Sequence, residues 1–337
     1  MKPRRRRIVL VTPALADANN GNWQTAQRWA RLLAPTYSVR LCAQWEGGDE
    51  ELMIALHARR SARSVRAWRA ASASRALLLV LTGTDLYRDI HHDADAQQAL
   101  AAADALVVLN EDGAARLPPA LRPRCHVVLQ SCAARQPLAK PVRHLRALMV
   151  GHLRDEKDPL TYLRAAERLA GRRDILLDHI GAALDPALGA AAAALAARQP
   201  SYRWLGALPH AAVRRRIQAA HVLVHTSRME GGAHVLTEAL RSGTPVIASQ
   251  IDGNLGLLGH GYPGTFAVGD DAALTALITR ARDDAAMLPT LAAWCAERAP
   301  LFSPAAESAT LHRLLAMLLP TLQTDTTPPS EPETPTP

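Results

Sequence analysis

Short apolar runs alternate with helix-patterned stretches along almost the whole chain, and that alternation leaves few folds open. Runs rich in Leu, Val and Ile fall at residues 8–12, 38–42, 52–56, 76–81, 105–109 and 126–130. Helical spacing fills residues 23–33, 58–71 and 93–103 between them. Strands covered on both faces read as continuous apolar runs, and parallel neighbours need a crossover helix. A looser segment at 133–141, with Pro137 and Pro141, interrupts the pattern and suits a linker. Strands then resume at 145–150, 175–180, 202–205, 222–225 and 245–248. Helices accompany them at 159–170, 184–198, 210–219, 233–241, 271–282 and 305–319. The expected fold class is α/β, with two Rossmann-like domains, residues 1–143 and 144–303, and an interdomain cleft. A C-terminal helix in 304–323 is placed to pack back on the first domain. Residues 324–337, rich in Pro, Thr and Glu, read as a disordered tail.

Charge narrows the partners. The 337 residues carry 39 Lys and Arg against 31 Asp and Glu, a net charge of +8. That balance favours anionic ligands. Aromatic residues are 4% of the chain and scattered, which argues against stacking on nucleic acid. No apolar run approaches the ~18 residues of a membrane span, and membrane association is not expected. Cys42, Cys125, Cys132 and Cys295 form no CxxC pair, so neither a metal motif nor a redox motif is read. Reduced thiols suit a cytoplasmic protein. The basic start Arg4–Arg7 before Ile8–Val11 mimics a secretion signal, but Thr12-Pro13 breaks its apolar core. Cleavage after Ala16 would also remove the first strand. His91 and His92 have no metal-ligand partners at suggestive spacing and read as surface residues.

The strongest local signal runs from Thr226 to Ala248. A strand ends near His225, a polar turn carries Glu230, and Gly231-Gly232 open a helix carrying Glu238. Paired glycines admit a close ligand, and a helix start offers free amides to an anion. Two carboxylates flanking that site would accept hydroxyls on either side of a diphosphate, the layout of a nucleotide sugar. The same residues also describe a capped helix with a solvated glutamate. A second segment, Val150–Pro159, follows the first strand of the second domain. Arg154 and Lys157 there can neutralise a departing diphosphate, or simply pair with Asp155 and Asp158.

Together these segments resemble the GT-B, family-4-type glycosyltransferases. Glu230 and Glu238 have the E-x7-E spacing, Val150-Gly151 with Glu156-Lys157 matches the VGR…EK loop, and Trp204-Leu205-Gly206 stands at F-L-G. Gly243–Ile247 matches G-x-P-V-I. The resemblance implies a second domain that binds a nucleotide sugar and a first domain that binds the acceptor. It implies that Glu238 binds ribose hydroxyls and Glu230 the transferred sugar, with Arg154 and Lys157 on the diphosphate. These two cations and Glu230 are the implied catalytic set. Gly21, Asn22, Gly151, His152, Gly231, Gly232, Ala233, Val235 and Leu236 complete the implied donor site with Glu238. His152 stands where the family commonly has Arg, so Arg154 is the expected substitute.

The first domain carries the resemblance further. Asn20–Asn22, Leu56–Ala62 and Leu81–Asp89, with Gly151–Pro159 and Ser227–Gly232, are similar to the selenosugar synthase branch of selenoneine biosynthesis. That likeness implies transfer from UDP-N-acetylglucosamine or UDP-glucose to selenophosphate, without a metal or other cofactor. The acceptor pocket is then expected from His57, Arg59, Arg60, Thr82, Thr84, Asp85 and Arg88, which follow strand ends. Each of these also fits a bland role: a solvated helix start at 57–60 and a helix cap at Asp85. The competing expectations are an oxygen acceptor, such as a lipid or cell-envelope sugar, and a nucleic-acid-binding protein.

Overall fold

The computed structural model describes residues 5–13 and 21–319. The residues around the apparent cleavage site, the turn before Gly21 and the tail at 324–337 lie outside the described residues. The first sheet holds β1 (Arg7–Val11), β2 (Ser38–Cys42), β3 (Leu52–Leu56), β4 (Ala76–Leu81), β5 (Ala105–Val108) and β6 (Cys125–Val127). All pair in parallel in the order β2-β1-β3-β4-β5-β6. Its helices are α1 (Gly21–Leu33), α2 (Ala58–Ala71), α3 (Ile90–His92) and α4 (Ala94–Ala102). Successive residues of a strand point to opposite faces, and the two cores show it. Val9, Val11, Met53, Ala55, Leu77 and Leu79 meet Val65, Trp68 and Leu100 on one side. Ile8, Leu10, Leu52, Ile54, Leu78 and Val80 meet Trp29 and Leu33 on the other.

The second sheet contains β7 (Leu145–Val150), β8 (Ile175–Ile180), β9 (Tyr202–Trp204), β10 (Val222–His225), β11 (Val246–Ser249) and β12 (Thr265–Phe266). The order is β12-β11-β10-β7-β8-β9, again parallel throughout. Around it lie α5 (Pro159–Arg168), α6 (Pro186–Arg198), α7 (His210–Ala219), α8 (His234–Leu240), α9 (Asp252–Leu258), α10 (Asp271–Asp283) and α11 (Met287–Arg298). The last helix, α12 (Pro304–Leu318), leaves this domain and sets Leu311, Leu314 and Leu315 into the α1 face of the first sheet.

Two strands of chain therefore join the domains. Residues 128–144 cross outward without regular structure, and the segment after α11 crosses back. They touch where the Cys132 amide donates to the Phe302 carbonyl at 3.2 Å. Beside them Glu307 is buried and accepts from Arg28 Nε (2.9 Å), Trp29 Nε1 (2.7 Å) and the Ser131 amide (3.0 Å).

Helix α9, helix α11, strand β12 and a π-helical turn at Asp85–Asp89 are additions to the sequence expectation. Gly253 and Gly256 weaken the helical signal of α9. Both are there because of close packing. A Cβ at Gly253 would lie 1.9 Å from the Glu230 carbonyl, and one at Gly256 would lie 2.6 Å from Asn110 Oδ1.

Candidate active site

The parallel strands of both sheets aim their C-terminal ends at the cleft, and the loops after β3, β4, β7 and β10 meet there. Glu230 lies in the loop after β10. Its Oε1 pairs with Lys157 Nζ, accepts from Ser227 Oγ at 2.7 Å and sits 3.2 Å from His225 Nε2. Burial works to raise the pKa of this carboxyl. Lys157 foremost, with His225, outweighs it and holds the group well below the usual carboxylate range. His225 closes β10 in full burial, which lowers its own pKa. Lys157 thus reaches its carboxylate from the loop after β7, 73 residues away in sequence.

Glu238 is 2% exposed and faces the other way along α8. Its Oε1 lies 2.5 Å from His210 Nε2 and 3.4 Å from His234 Nδ1. Burial again opposes ionisation, and the bonds to both histidines bring the pKa down to about 2. Neither histidine was singled out by the motif, although His234 and Glu238 stand at i,i+4 spacing on one helix face. Among the described residues these three are the one group with ligand atoms close enough to hold a metal ion, within 4.8 Å of one another. Sequence spacing gives no hint of it because His210 lies on a different helix.

Three details correct the expected donor loop. Helix α8 has seven residues, so Glu238 stands one turn from its start and the helix dipole is short. Leu236 is core, and its amide already donates to the Ala233 carbonyl at 2.9 Å. The glycines fit a close contact with the first domain. A Cβ at Gly231 would lie 2.3 Å from the Thr82 carbonyl, and one at Gly232 would lie 2.8 Å from Leu109 Cβ. Asn110 Nδ2 donates to the Gly231 carbonyl at 2.7 Å and locks that contact. Ala233 is buried there, while Val235 is half-buried. Gly21 is the contrasting case. It begins α1, and a Cβ there would meet nothing within 4 Å. Asn22 follows it, half-buried.

The cationic loop is split. Lys157 is committed to Glu230, and its side chain packs over Gly151 at 3.5 Å from that residue's Cβ position. Arg154 is exposed, with Nε 3.8 Å from Glu156 Oε2. His152 accepts from the Ala182 amide at 3.1 Å. Burial, then Arg154 and Lys157, lowers its pKa, so it supplies a neutral ring where the family motif has a cation.

The first-domain residues gather at the ends of β3 and β4. His57 adopts φ +72° as the N-cap of α2, an uncommon conformation for a non-glycine residue. Its Nε2 lies 3.1 Å from Thr84 Oγ1, and burial lowers its pKa against the pull of Asp85. Asp85 does not face the cleft. It is fully buried and accepts from the amides of Ala58 (2.9 Å), Thr82 (2.9 Å) and Gly83 (2.8 Å). An acid so occupied caps a loop. Arg59 is exposed and pairs with Asp89 at 3.0 Å, and Arg60 is exposed beside it. Arg88 reaches across the cleft, with Nη1 3.8 Å from Glu156 Oε1. Arg88, Glu156 and Arg154 thus form one chain of charges from the acceptor loop to the donor loop.

Residues 132–298 match the family model described as Glycosyl transferases group 1. A search of curated protein sequences finds no match. Among solved structures, the chain is similar to sucrose-phosphate synthase (tll1590) from Thermosynechococcus elongatus, at 18% identity and TM-score 0.75. That likeness covers 94% of this chain and 99% of the other. HepE (Alr3699) from Anabaena, in complex with UDP and glucose, matches at 16% identity and TM-score 0.72 over 93% of this chain and 100% of its own. The pneumococcal O-GlcNAc transferase GtfA, in complex with UDP and GlcNAc, matches at 16% identity and TM-score 0.62, covering 80% and 57%. At these identities the likeness is one of fold, and that fold is GT-B.

Proposed function

We propose that this glycosyltransferase, whose residues 132–298 match the glycosyl transferases group 1 model and whose chain has the GT-B fold, uses a UDP-sugar donor with selenophosphate as acceptor. The observation that carries the donor half is the pairing of Glu230 with Lys157 at the cleft, in the loop that leads into the helix of Glu238. A pyrophosphate-linked hexose gives each group a better-matched partner. The sugar hydroxyls go to Glu230, the ribose hydroxyls to Glu238, and the diphosphate to Lys157 and Arg154. Lys157 already stands at the sugar carboxylate, so a small movement transfers its charge to the leaving group as that charge develops. The HepE and GtfA structures, both in complex with UDP, support the choice of nucleotide.

The acceptor half rests on the first domain. Arg59, Arg60 and Arg88 stand at a cleft edge that offers a hydroxyl at Thr84; Asp85 there is capped by amides, and Asp89 is paired with Arg59 and Arg88. A small polyanion suits such a wall better than a neutral hydroxyl, which would need a base to remove its proton. Selenium of selenophosphate bonds to the anomeric carbon as the carbon–oxygen bond to UDP breaks. Water then cleaves the phosphorus–selenium bond, giving phosphate and a selenosugar. Incubating pure protein with UDP-N-acetylglucosamine or UDP-glucose and selenophosphate is expected to release UDP and yield a selenium-containing sugar by mass spectrometry. Transfer only to sugar or lipid hydroxyls would refute the acceptor and keep the donor; no UDP release from any UDP-sugar would refute both.

A further inference from the structure

A cavity of about 330 Å3 opens between α1 of the first domain and helices α7 and α8 of the second. Arg28, Arg31, His210, Arg214 and His234 line it, and Glu238 lies behind the two histidines. Three guanidinium groups meet two carboxylates, Glu238 and Glu307, so the cavity keeps an uncompensated positive charge. Two of those groups also have unfilled bonding capacity. Arg28 gives Nε to Glu307 and leaves Nη2 buried without an acceptor. Arg214 is 8% exposed in its side chain, gives Nη2 to the Ala133 carbonyl at 2.8 Å and leaves Nε buried without one. Buried donors of charged groups are nearly always satisfied, and an orphan marks a missing partner. Arg214 Nε lies 4.0 Å from Glu238 Oε1, too far for a hydrogen bond.

We infer that Arg28 and Arg214 form a second phosphate clamp, which holds the phosphate attached to the nucleotide's ribose while Glu238 takes the ribose hydroxyls. This rests on the nucleotide reading above and adds two residues that the expected donor site did not include. A ribose phosphate alone offers both chemistries the cavity requires, hydroxyl donors for a carboxylate and anionic oxygens for guanidinium groups, within one small unit. A divalent cation is the poorer fit to His210, His234 and Glu238. Arg214 stands beside the carboxylate, and Arg28 Nη1 lies 3.4 Å from His234 Nε2. Because Arg28 belongs to the first domain and Arg214 to the second, the bound nucleotide joins the two.

Calorimetry with uridine, UMP and UDP tests the clamp on the full chain, on Arg214→Gln, and on Arg28→Gln combined with Glu307→Gln. The double variant avoids leaving Glu307 charged and alone, and circular dichroism checks that both variants fold. UMP and UDP are expected to bind at least about tenfold more weakly in each variant, with uridine unchanged. Equal UMP affinity in all three proteins would overturn the clamp, as would a uridine loss as large as the UMP loss. Should the wild type bind no uridine nucleotide, the nucleotide reading fails. Titration with inorganic phosphate then separates an anion pocket dependent on Arg214 from none at all. Zinc binding abolished by His234→Ala, without any phosphate binding, would assign the cavity to a metal instead.

Discussion

Asp85 and Glu230 are both acids just beyond a strand end, one in each domain. Their partners differ in kind. Asp85 is held by three backbone amides of its own domain. Glu230 is held by the side chains of Lys157, Ser227 and His225. An amide in a turn cannot leave without unfolding the turn, whereas a lysine or serine side chain can rotate to another partner. The first arrangement fixes a loop, and the second keeps a negative charge in readiness. Partner type therefore distinguishes these two acids where burial does not.

Substitution breaks or sharpens this contrast. Glu230→Gln should lower the rate of sugar transfer by about a thousandfold, ~4 kcal/mol, with UDP affinity and melting temperature close to wild type. A parallel loss of UDP affinity would show that Glu230 holds the nucleotide instead. Asp85→Asn should do the reverse. It removes one charge-assisted acceptor from three amides and should cost about 2–3 kcal/mol, a fall of roughly 5–10 °C in melting temperature. Unchanged melting with lost activity would return Asp85 to the reaction. Glu238→Ala should weaken UDP and UDP-sugar together by about ten- to hundredfold, read by calorimetry.

Acid pH gives the smallest effect. Glu238 is held at about 2 in the folded protein against an ordinary 4.5. A depressed carboxyl contributes stability above its unfolded pKa and loses it as pH falls toward the folded one. At pH 3.5 this group alone should have lost about 1 kcal/mol. Urea unfolding of wild type and Glu238→Gln should therefore converge as pH drops from 6 to 3.5. A constant difference would mean that the histidine bonds do not hold the carboxylate.

The fold was largely legible because both sheets are parallel and covered on two faces. β3 reads as Leu52–Leu56 without a polar residue, and every residue of it is buried. The glutamate pair and Lys157 were legible as spacing. What stayed hidden was contact between segments distant in sequence. Nothing around Gly231 announces that Thr82 presses against it, and nothing around Glu238 announces His210. Helix α9 was obscured by the two glycines that its packing demands. A cap at Asp85 was readable, but its hold on the Ala58 amide was hidden because that amide comes from another loop.

The paired crossings at Cys132 and Phe302 set how the halves can move. A single tether would let one half swivel freely about it. Two tethers side by side, stiffened by Glu307 and its three donors, act as the spine of a book. Rotation about the line of the two tethers leaves both intact, whereas twisting across that line strains them together.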